Sequence, residues 1–545
     1  MTLFRPLPRA VTRPISIALL VAWAATMGTL VHRSYVQAST TIAADLARYG
    51  SNAQWRGVYY RGEKIGFTVS QTVPTDGGFE LHEDGRLQMT LLGAVSAARI
   101  RTTARVDREF ALRSFDFSLD PGTGPIEVQG ILNGLQLQLT VKTVAGTHAE
   151  TRQLSEMPYL SLNLARRLAN GGLVPGSRHE WAMFDPATLQ NAPVVVEVGK
   201  RETVRDATAR IPAFRVEMAF RGLRTTSWIT DTGEVIREES PMGLITVRES
   251  AAAAQRLAVP GHIQTDLLEA AAVVPVSKHR IDEPRDVRRL RLRIEGADLP
   301  GEDLQGVGQS VQGNVFDLAT AQQLQPGPLD PEAAQYLAPE PFIESDDAAI
   351  RAEAERLVAG FKGDRARAER LTREVNGLLE KKPTVSLPSA REVLRTRVGD
   401  CNEHTVLFVA MARALGLPAR IAVGLAYVRG AFYYHAWPEV YIREGQGGLW
   451  LPVDPTFNQF PADATHIRLA RGGLDKQAAI VPLIGRIKMT VLDLELAPNA
   501  TPVLVGRPAS DLRPLSIPMP QRTPGGCWAW LTDRPGRRSL GEGGR

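Results

Sequence analysis

The residues best suited to chemistry are a cysteine, a histidine and an aspartate that follow one another in the last third of the chain. Cys401 follows Gly-Asp, His435 precedes Ala-Trp, and Asp454 precedes Pro-Thr. Thiol acyl chemistry needs a nucleophile, a base that takes its proton and a carboxylate that orients the base, and these side chains supply all three. The pattern therefore indicates an enzyme, with Cys401, His435 and Asp454 as the candidate catalytic residues.

The segment that follows Cys401 predicts a buried helix. Apolar residues recur at helical spacing from Val406 to Leu415, and Gly416 and Pro418 end the pattern. Backbone N–H groups and the positive end of the helix dipole favour a thiolate in the first turn, and a nearby imidazolium favours it further. We therefore expect the pKa of the Cys401 thiol to be low.

The other two candidate residues fall on a predicted antiparallel sheet. Residues 420–427, 432–442 and 449–453 alternate in the way that is typical of strands, and a Gly-rich turn joins the last two. His435 and Asp454 then lie on or beside neighbouring strands, so their side chains can meet.

The whole pattern resembles the transglutaminase-like superfamily of bacterial thiol enzymes, over roughly residues 340–470. The residues that carry the resemblance are Gly399-Asp400-Cys401, Glu403-His404, Gly416-Leu417-Pro418-Ala419-Arg420, His435-Ala436-Trp437, Glu439-Val440, Trp450 and Val453-Asp454-Pro455-Thr456. The resemblance implies a papain-like α+β core in which Cys401 is the nucleophile, His435 the general base and Asp454 its orienter. The family includes cross-linkers, peptidases, deamidases and inactive members, so the resemblance implies a reaction class better than a substrate.

Three further residues are expected to support the site or the substrate. Glu403 and His404 come directly after the nucleophile, and capping or packing is the favoured role for both. Trp437 either walls the cleft or fills the core.

Structural alternatives exist for each candidate catalytic residue. Cys401 could be a small buried residue, His435 a core histidine and Asp454 a turn residue. A zinc site from Cys401, His404, His435 and His466 is another alternative. It is disfavoured because no second cysteine lies near and the Cys-x-x-His pair opens a helix. We expect neither a metal nor a cofactor.

The N-terminus carries a membrane signal. Arg5, Arg9 and Arg13 precede an uncharged apolar run at 15–31, which places the N-terminus in the cytoplasm and the bulk of the chain in the periplasm. The run is longer than a typical signal core and marginal for a span of ~20 residues. An uncleaved, single-pass anchor in the inner membrane is favoured over a signal cleaved after residue 38.

Composition excludes some classes of protein. The chain has 545 residues and a net charge of +5. The densest basic cluster, within 285–293, alternates with apolar residues, which indicates a solvated strand face and not a nucleic-acid site. Cys401 and Cys527 are the two cysteines, so the chain is no disulfide scaffold.

Five segments are predicted along the chain. They are an anchor and stalk at 1–50, a β-rich exported domain at 52–250, a connector with strands and a Pro/Gly-rich linker at 251–341, a transglutaminase-like catalytic domain at 342–497 and a disordered tail at 498–545. The predicted fold class is α+β. The β-rich domain either binds a ligand or peptide or acts as a spacer.

Two functions remain open at this point. The first is a membrane-anchored thiol enzyme that acts on amide bonds of protein or peptide substrates in the cell envelope by acyl transfer, deamidation or proteolysis. The alternative is a non-catalytic scaffold that binds a peptide or an envelope partner.

Overall fold

The computed structural model describes residue 49 and residues 52–504 with short gaps. The gaps are 92–93, 123, 144–145, 206–208, 241–242, 258–265, 267–268, 270, 297–298, 300–303, 321–323, 383–388, 473–479, 481–482, 484, 499 and 501–502. The chain divides into two compact units, Met1–Gln54 and Trp55–Arg545. The predicted anchor and the part of the predicted tail after residue 504, which holds Cys527, lie outside the described residues.

The first half of the described chain forms a single antiparallel sheet. Its strands are β1 Gln54–Tyr60, β2 Glu63–Thr75, β3 Gly78–Leu91, β4 Ala94–Asp107, β5 Leu112–Asp120, β6 Ile126–Asn133, β7 Gln136–Thr143, β8 Gly146–Gln153, β9 Arg178–Asp185, β10 Gln190–Arg205, β11 Arg210–Phe220, β12 Leu223–Ile229, β13 Val235–Glu239 and β14 Leu244–Glu249. Neighbours in sequence pair throughout, and β1 also pairs with β14. The two ends of this region therefore meet within the sheet, while β8 and β9 form its edges.

One face of this sheet packs into a hydrophobic core. In β6 and β7 every second residue is buried, which is the period of a strand with one solvated face. Helix α1, Ser161–Ala169, lies between the two edge strands in sequence and packs Leu164 and Leu168 against Val194 and Val216. The β-rich prediction for this region is confirmed.

The second half contains shorter elements. They are α2 Ala251–Ala254, β15 His279–Arg280, β16 Val287–Glu295, β17 Gln309–Gln312, β18 Val315–Ala319, α3 Ala348–Leu357, α4 Asp364–Leu378, β19 Glu380–Lys381, α5 Ala390–Thr396, β20 Val398–Gly399, α6 Cys401–Ala414, β21 Ala419–Val428, β22 Ala431–Glu444, β23 Gly447–Pro452, β24 Ile467–Arg471, β25 Lys488–Leu496 and β26 Val503–Leu504. Two short 3₁₀ helices, Pro284–Asp286 and Ala333–Leu337, lie among them.

Helix α6 is the centre of the second half. Every residue from Glu403 to Arg413 is buried, so the helix is enclosed on all sides. Helices α3, α4 and α5 contact it, and on another side it packs on the sheet β23-β22-β21-β24. The strands predicted at 420–427, 432–442 and 449–453 are confirmed as β21, β22 and β23.

The predicted fold class, an α+β chain with an N-terminal transmembrane anchor, is wrong. Among the described residues, strand accounts for 52% and helix for 18%, and their fold is mostly antiparallel β. The prediction gave too much weight to the helical spacing between residues 345 and 415, while the long strands of the first half dominate the fold. No described helix is long and apolar enough to cross a bilayer.

The connector is more regular than its composition indicates. Strands β16, β17 and β18 form a sheet with β25, although Gly296–Pro341 shows no steady periodicity. Strand β16 buries Leu290, Leu292 and Ile294 and exposes the arginines between them, so the predicted solvated strand face is confirmed.

Candidate active site

Cys401 is the first residue of α6, and its neighbours cap the helix. The Asp400 carboxylate accepts a hydrogen bond from the Asn402 backbone N–H (3.0 Å), and the Glu403 carboxylate accepts one from the Asp400 N–H (2.8 Å). This reciprocal pair is a capping box, and losing such a cap costs about 0.5–2 kcal/mol. Glu403 therefore fixes the helix start.

Gly399 is required by the same cap. A Cβ at this position would lie 2.2 Å from the Glu403 Cβ, closer than any real contact. The Gly-Asp-Cys sequence thus places the cap and the thiol together.

Two residues of the next turn attach α6 to its surroundings. Thr405 donates a hydrogen bond to the Ala436 carbonyl on β22 (3.1 Å). His404 is fully buried, and its Nδ1 lies 2.6 Å from the Asp400 carbonyl oxygen. Burial lowers the pKa of His404 to about 4, so this imidazole stays neutral and structural at ordinary pH.

His435 and Asp454 form a buried pair. His435 Nε2 lies 2.8 Å from Asp454 Oδ2, and the exposed fractions of the two residues are 7% and 0%. The other carboxylate oxygen, Oδ1, accepts backbone N–H groups from Thr456 (2.7 Å) and Phe457 (3.0 Å). Because the ionised carboxylate only accepts, His435 Nε2 carries the proton and Nδ1 is the basic nitrogen.

A second histidine shares the same carboxylate oxygen. His466 Nε2 lies 3.1 Å from Asp454 Oδ2, and His466 Nδ1 lies 3.2 Å from Asp463 Oδ1. Asp454 thus receives hydrogen bonds from two imidazole rings and two backbone groups.

A glycine allows this second histidine to approach. Gly424 on β21 pairs with His435, and a Cβ on Gly424 would lie 1.9 Å from the carbonyl oxygen of Ile467. Strand β24 can therefore pack closely here, which brings His466 to Asp454.

Aromatic rings hold the histidines in place. Phe457 stacks on His435 with ring centroids 4.6 Å apart and planes 6° apart. Trp437 is 1% exposed and meets His466 edge to face at 5.2 Å. Trp437 therefore lies inside the core behind the histidines.

The Cys401 thiol contacts strand β22. The Ala436 backbone N–H hydrogen-bonds the Cys401 sulfur, and Ala436 is the residue after His435. The structure therefore joins His435 to Asp454 directly and places the Cys401 thiol against the backbone of the residue that follows His435.

Part of the chain is similar to a known protein family. Residues 351–455 match the model of the transglutaminase-like superfamily. This segment belongs to that superfamily. The comparison with curated proteins gave no match.

Two solved structures are similar to parts of the chain. A proposed cysteine protease from Cytophaga hutchinsonii is 18% identical, with 41% of this chain and 90% of that chain covered and a TM-score of 0.27. A β-barrel-like protein of a domain family of unknown function from Brucella abortus is 12% identical, with 36% and 97% covered and a TM-score of 0.30.

The electrostatics of the transglutaminase-like site contradict the low pKa predicted for the Cys401 thiol. Burial, followed by the charge of Asp400, raises the pKa of the Cys401 thiol well above its ordinary value, and the Ala436 N–H only partly offsets this. The predicted low pKa is therefore wrong for the resting site, where the thiol is protonated. A helix N-terminus favours the thiolate, but here the loss of water around the sulfur outweighs it.

The shared carboxylate and the second histidine are both charged. Burial alone would raise the pKa of Asp454, but His435 and His466 hold it well below its usual range. Burial alone would lower the pKa of His466, but Asp463 and Asp454 raise it to about 10. His466 is therefore an imidazolium at neutral pH.

A buried ionic cluster lies on the same sheet. Glu439 is 2% exposed and accepts hydrogen bonds from Arg420 (2.8 Å), Arg468 (2.5 Å) and Arg471 (3.1 Å). Burial alone would raise the pKa of Glu439, but the three arginines lower it to about 2. A cavity of about 30 Å³, room for roughly one or two waters, separates this cluster from His466.

The zinc site considered above can be compared with the structure. Among the described residues, the three ligand atoms that approach one another are those of His435, Asp454 and His466, within 4.8 Å. Cys401 and His404 do not belong to this group, so the zinc set considered above is not assembled. Both ring nitrogens of His466 face carboxylates, and a doubly protonated ring offers a metal no lone pair.

Sequence reasoning missed His466, Asp463 and Phe457 as site residues. His466 was considered only as a zinc ligand. The available signal was local: Asp463 precedes His466 by one turn, and the pair follows Asp454 closely in sequence.

Proposed function

We propose that the transglutaminase-like domain is a thiol enzyme that acts on amide bonds of protein or peptide substrates. The observation that carries this proposal is the convergence of a capped helix start bearing Cys401 with the buried His435–Asp454 pair. A nucleophile, a base and an orienting carboxylate in this arrangement can perform acyl transfer.

In the proposed mechanism His435 acts as a general base. Its Nδ1 takes the thiol proton as the Cys401 sulfur attacks the amide carbonyl, because the thiol is neutral at rest. The C–N bond then breaks, His435 returns the proton to the leaving amine, and a thioester remains on Cys401. Water or a second amine then attacks the thioester while His435 takes its proton. The C–S bond breaks and His435 passes the proton to the Cys401 sulfur, which restores the neutral thiol.

The test uses the two cysteines of the chain as matched variants. Purified protein is assayed for release of peptide amines from casein and for incorporation of a fluorescent primary amine into casein. Cys401→Ala should abolish whichever activity is found, and Cys527→Ala should leave it unchanged. Activity that survives Cys401→Ala would overturn the proposal, and a wild-type protein that binds but never turns over substrate would favour the scaffold alternative.

We also propose that the enzyme works outside the cytoplasm. The basis is the N-terminal arrangement of Arg5, Arg9 and Arg13 before the apolar run 15–31. A phosphatase reporter that requires the periplasm, fused after Gly50, should be active. An inactive reporter in a stable fusion would contradict this location.

A further inference from the structure

Both ring nitrogens of His466 contact carboxylates. Its Nε2 lies 3.1 Å from Asp454 Oδ2 and its Nδ1 3.2 Å from Asp463 Oδ1, and the residue is 8% exposed. Asp463 is itself fixed by Thr465, through the backbone N–H (2.9 Å) and the hydroxyl (2.6 Å), and by Gln459 (2.7 Å). The ring is thus clamped between two oriented carboxylates.

The charges around His466 favour a cation. The carboxylates of Asp463 and Asp454 contact it directly, and the His435 ring lies 5.8 Å away between centroids. Across the cavity lie Glu439 and Arg468, which pair with each other. Two carboxylates against one ring leave the positive form of His466 as the stable one.

We propose that His466 is a positioning residue for the amide chemistry proposed above, on which this inference rests: as an imidazolium it anchors Asp454 and cancels much of its charge at His435. With His466 charged, the His466–Asp454 pair is nearly neutral. His435 is oriented by Asp454 through its Nε2, so its Nδ1 is the nitrogen that accepts a proton.

The state of the thiol agrees with this role. A thiolate–imidazolium pair at rest needs a carboxylate that stabilises the imidazolium, and His466 opposes that. The raised pKa of the Cys401 thiol indicates a neutral thiol at rest.

The direct test measures protonation and needs no substrate. Full-length protein labelled with ¹⁵N-histidine is titrated by NMR, and His466→Gln assigns the His466 signals among the nine histidines. We expect both His466 nitrogens to carry protons from about pH 6 to about pH 9, since an unperturbed histidine titrates near 6.5. A His466 ring that loses a proton near pH 6.5 would overturn the proposal.

The second test follows the thiol. The rate at which iodoacetamide labels Cys401 is measured against pH by mass spectrometry. In His466→Gln the amide can still donate to Asp454 but the positive charge is gone, so the unbalanced Asp454 carboxylate should move the labelling curve by about one pH unit. The exposed His148→Gln is the matched control and should not move the curve.

A third variant keeps the histidine and guards against misfolding. Asp463→Asn removes one of the two carboxylates, so the pKa of His466 should fall and its titration should enter the measured range. If His466→Gln and Asp463→Asn both fold and leave the labelling curve in place, His466 only packs and the inference is wrong. If Cys401→Ala leaves amide activity intact, the proposed function fails instead, whatever the NMR shows.

Discussion

At the scale of single residues, Asp454 is the most constrained group of the site. Its two oxygens accept four hydrogen bonds, two from backbone N–H groups and two from imidazole rings. Charge-assisted bonds of this kind fix the carboxylate and, through it, the tautomer of His435.

Asp454→Asn should therefore disable catalysis while the fold survives. The Asn oxygen can keep the backbone bonds from Thr456 and Phe457, but its NH₂ would then meet the N–H groups of His435 and His466. Loss of such a carboxylate reduces kcat by up to about 10⁴-fold in related mechanisms. The measurement is turnover of casein beside the circular dichroism spectrum, with the exposed Asp493→Asn as control. Near-wild-type turnover by Asp454→Asn would exclude Asp454 from the mechanism.

The Cys401 thiol should react with iodoacetamide only as pH rises above the ordinary thiol range. Burial raises its pKa, whereas an unperturbed thiol titrates near 8.5. His435→Ala should slow labelling of Cys401 and leave Cys527 unaffected, as read by peptide mass spectrometry. Faster labelling of Cys401 than of Cys527 at about pH 6 would show instead that a thiolate is present at rest.

At the scale of elements, one buried carboxylate joins three strands of the sheet β23-β22-β21-β24. Glu439 on β22 binds Arg420 on β21 and both Arg468 and Arg471 on β24. The same arginines 468 and 471 donate to the Gln305 carbonyl, so the connector is attached to the sheet at this point.

Glu439→Gln should destabilise the protein strongly. Removing one member of a buried ionic cluster costs roughly 3–5 kcal/mol, because three guanidinium groups would lose their carboxylate in the core. Glu353→Gln, which breaks an ion pair with the exposed Arg356, is the matched control and should cost about 0–1 kcal/mol. Thermal and urea unfolding of both variants provide the measurement, and equal losses in both would contradict a special role for the cluster.

The same cluster predicts acid sensitivity. The pKa of Glu439 is about 2 in the folded protein and higher when unfolded, so its contribution is complete above about pH 5 and is lost as pH falls toward 2. The difference in unfolding free energy between wild type and Glu439→Gln should shrink over that interval.

At the scale of the whole molecule, the predicted connector and the predicted catalytic domain share one core. Strand β25, inside the predicted catalytic domain, pairs with β16 of the predicted connector, and Gln309 bonds the backbone of Arg468 through both ends of its amide. Leu290 and Phe316 lie in the same hydrophobic cluster as Phe408 of α6.

A fragment cut at the predicted boundary should therefore not fold. Residues 342–497 alone would expose the apolar side of β25 and lose the bonds of Gln309, whereas residues 271–504 retain both. We expect cooperative thermal unfolding and slow proteolysis for the longer fragment only. A stable, protease-resistant 342–497 fragment would show that the connector is dispensable.

The sequence alone determined what depends on local pattern and chemical type. The order Cys401, His435, Asp454 indicated the chemistry, alternation located β21 to β23, and helical spacing with a Gly-Asp start located α6, because neighbours along the chain determine these features.

Only the tertiary structure decided what depends on distant contacts and on burial. The strand order, the approach of β24 past Gly424 that brings His466 to Asp454, and the gathering of three arginines at Glu439 come from pairing between segments far apart in sequence. The pKa of Cys401 was wrongly predicted for the same reason: a helix start is visible in the sequence, but the water that packing removes from the thiol is not.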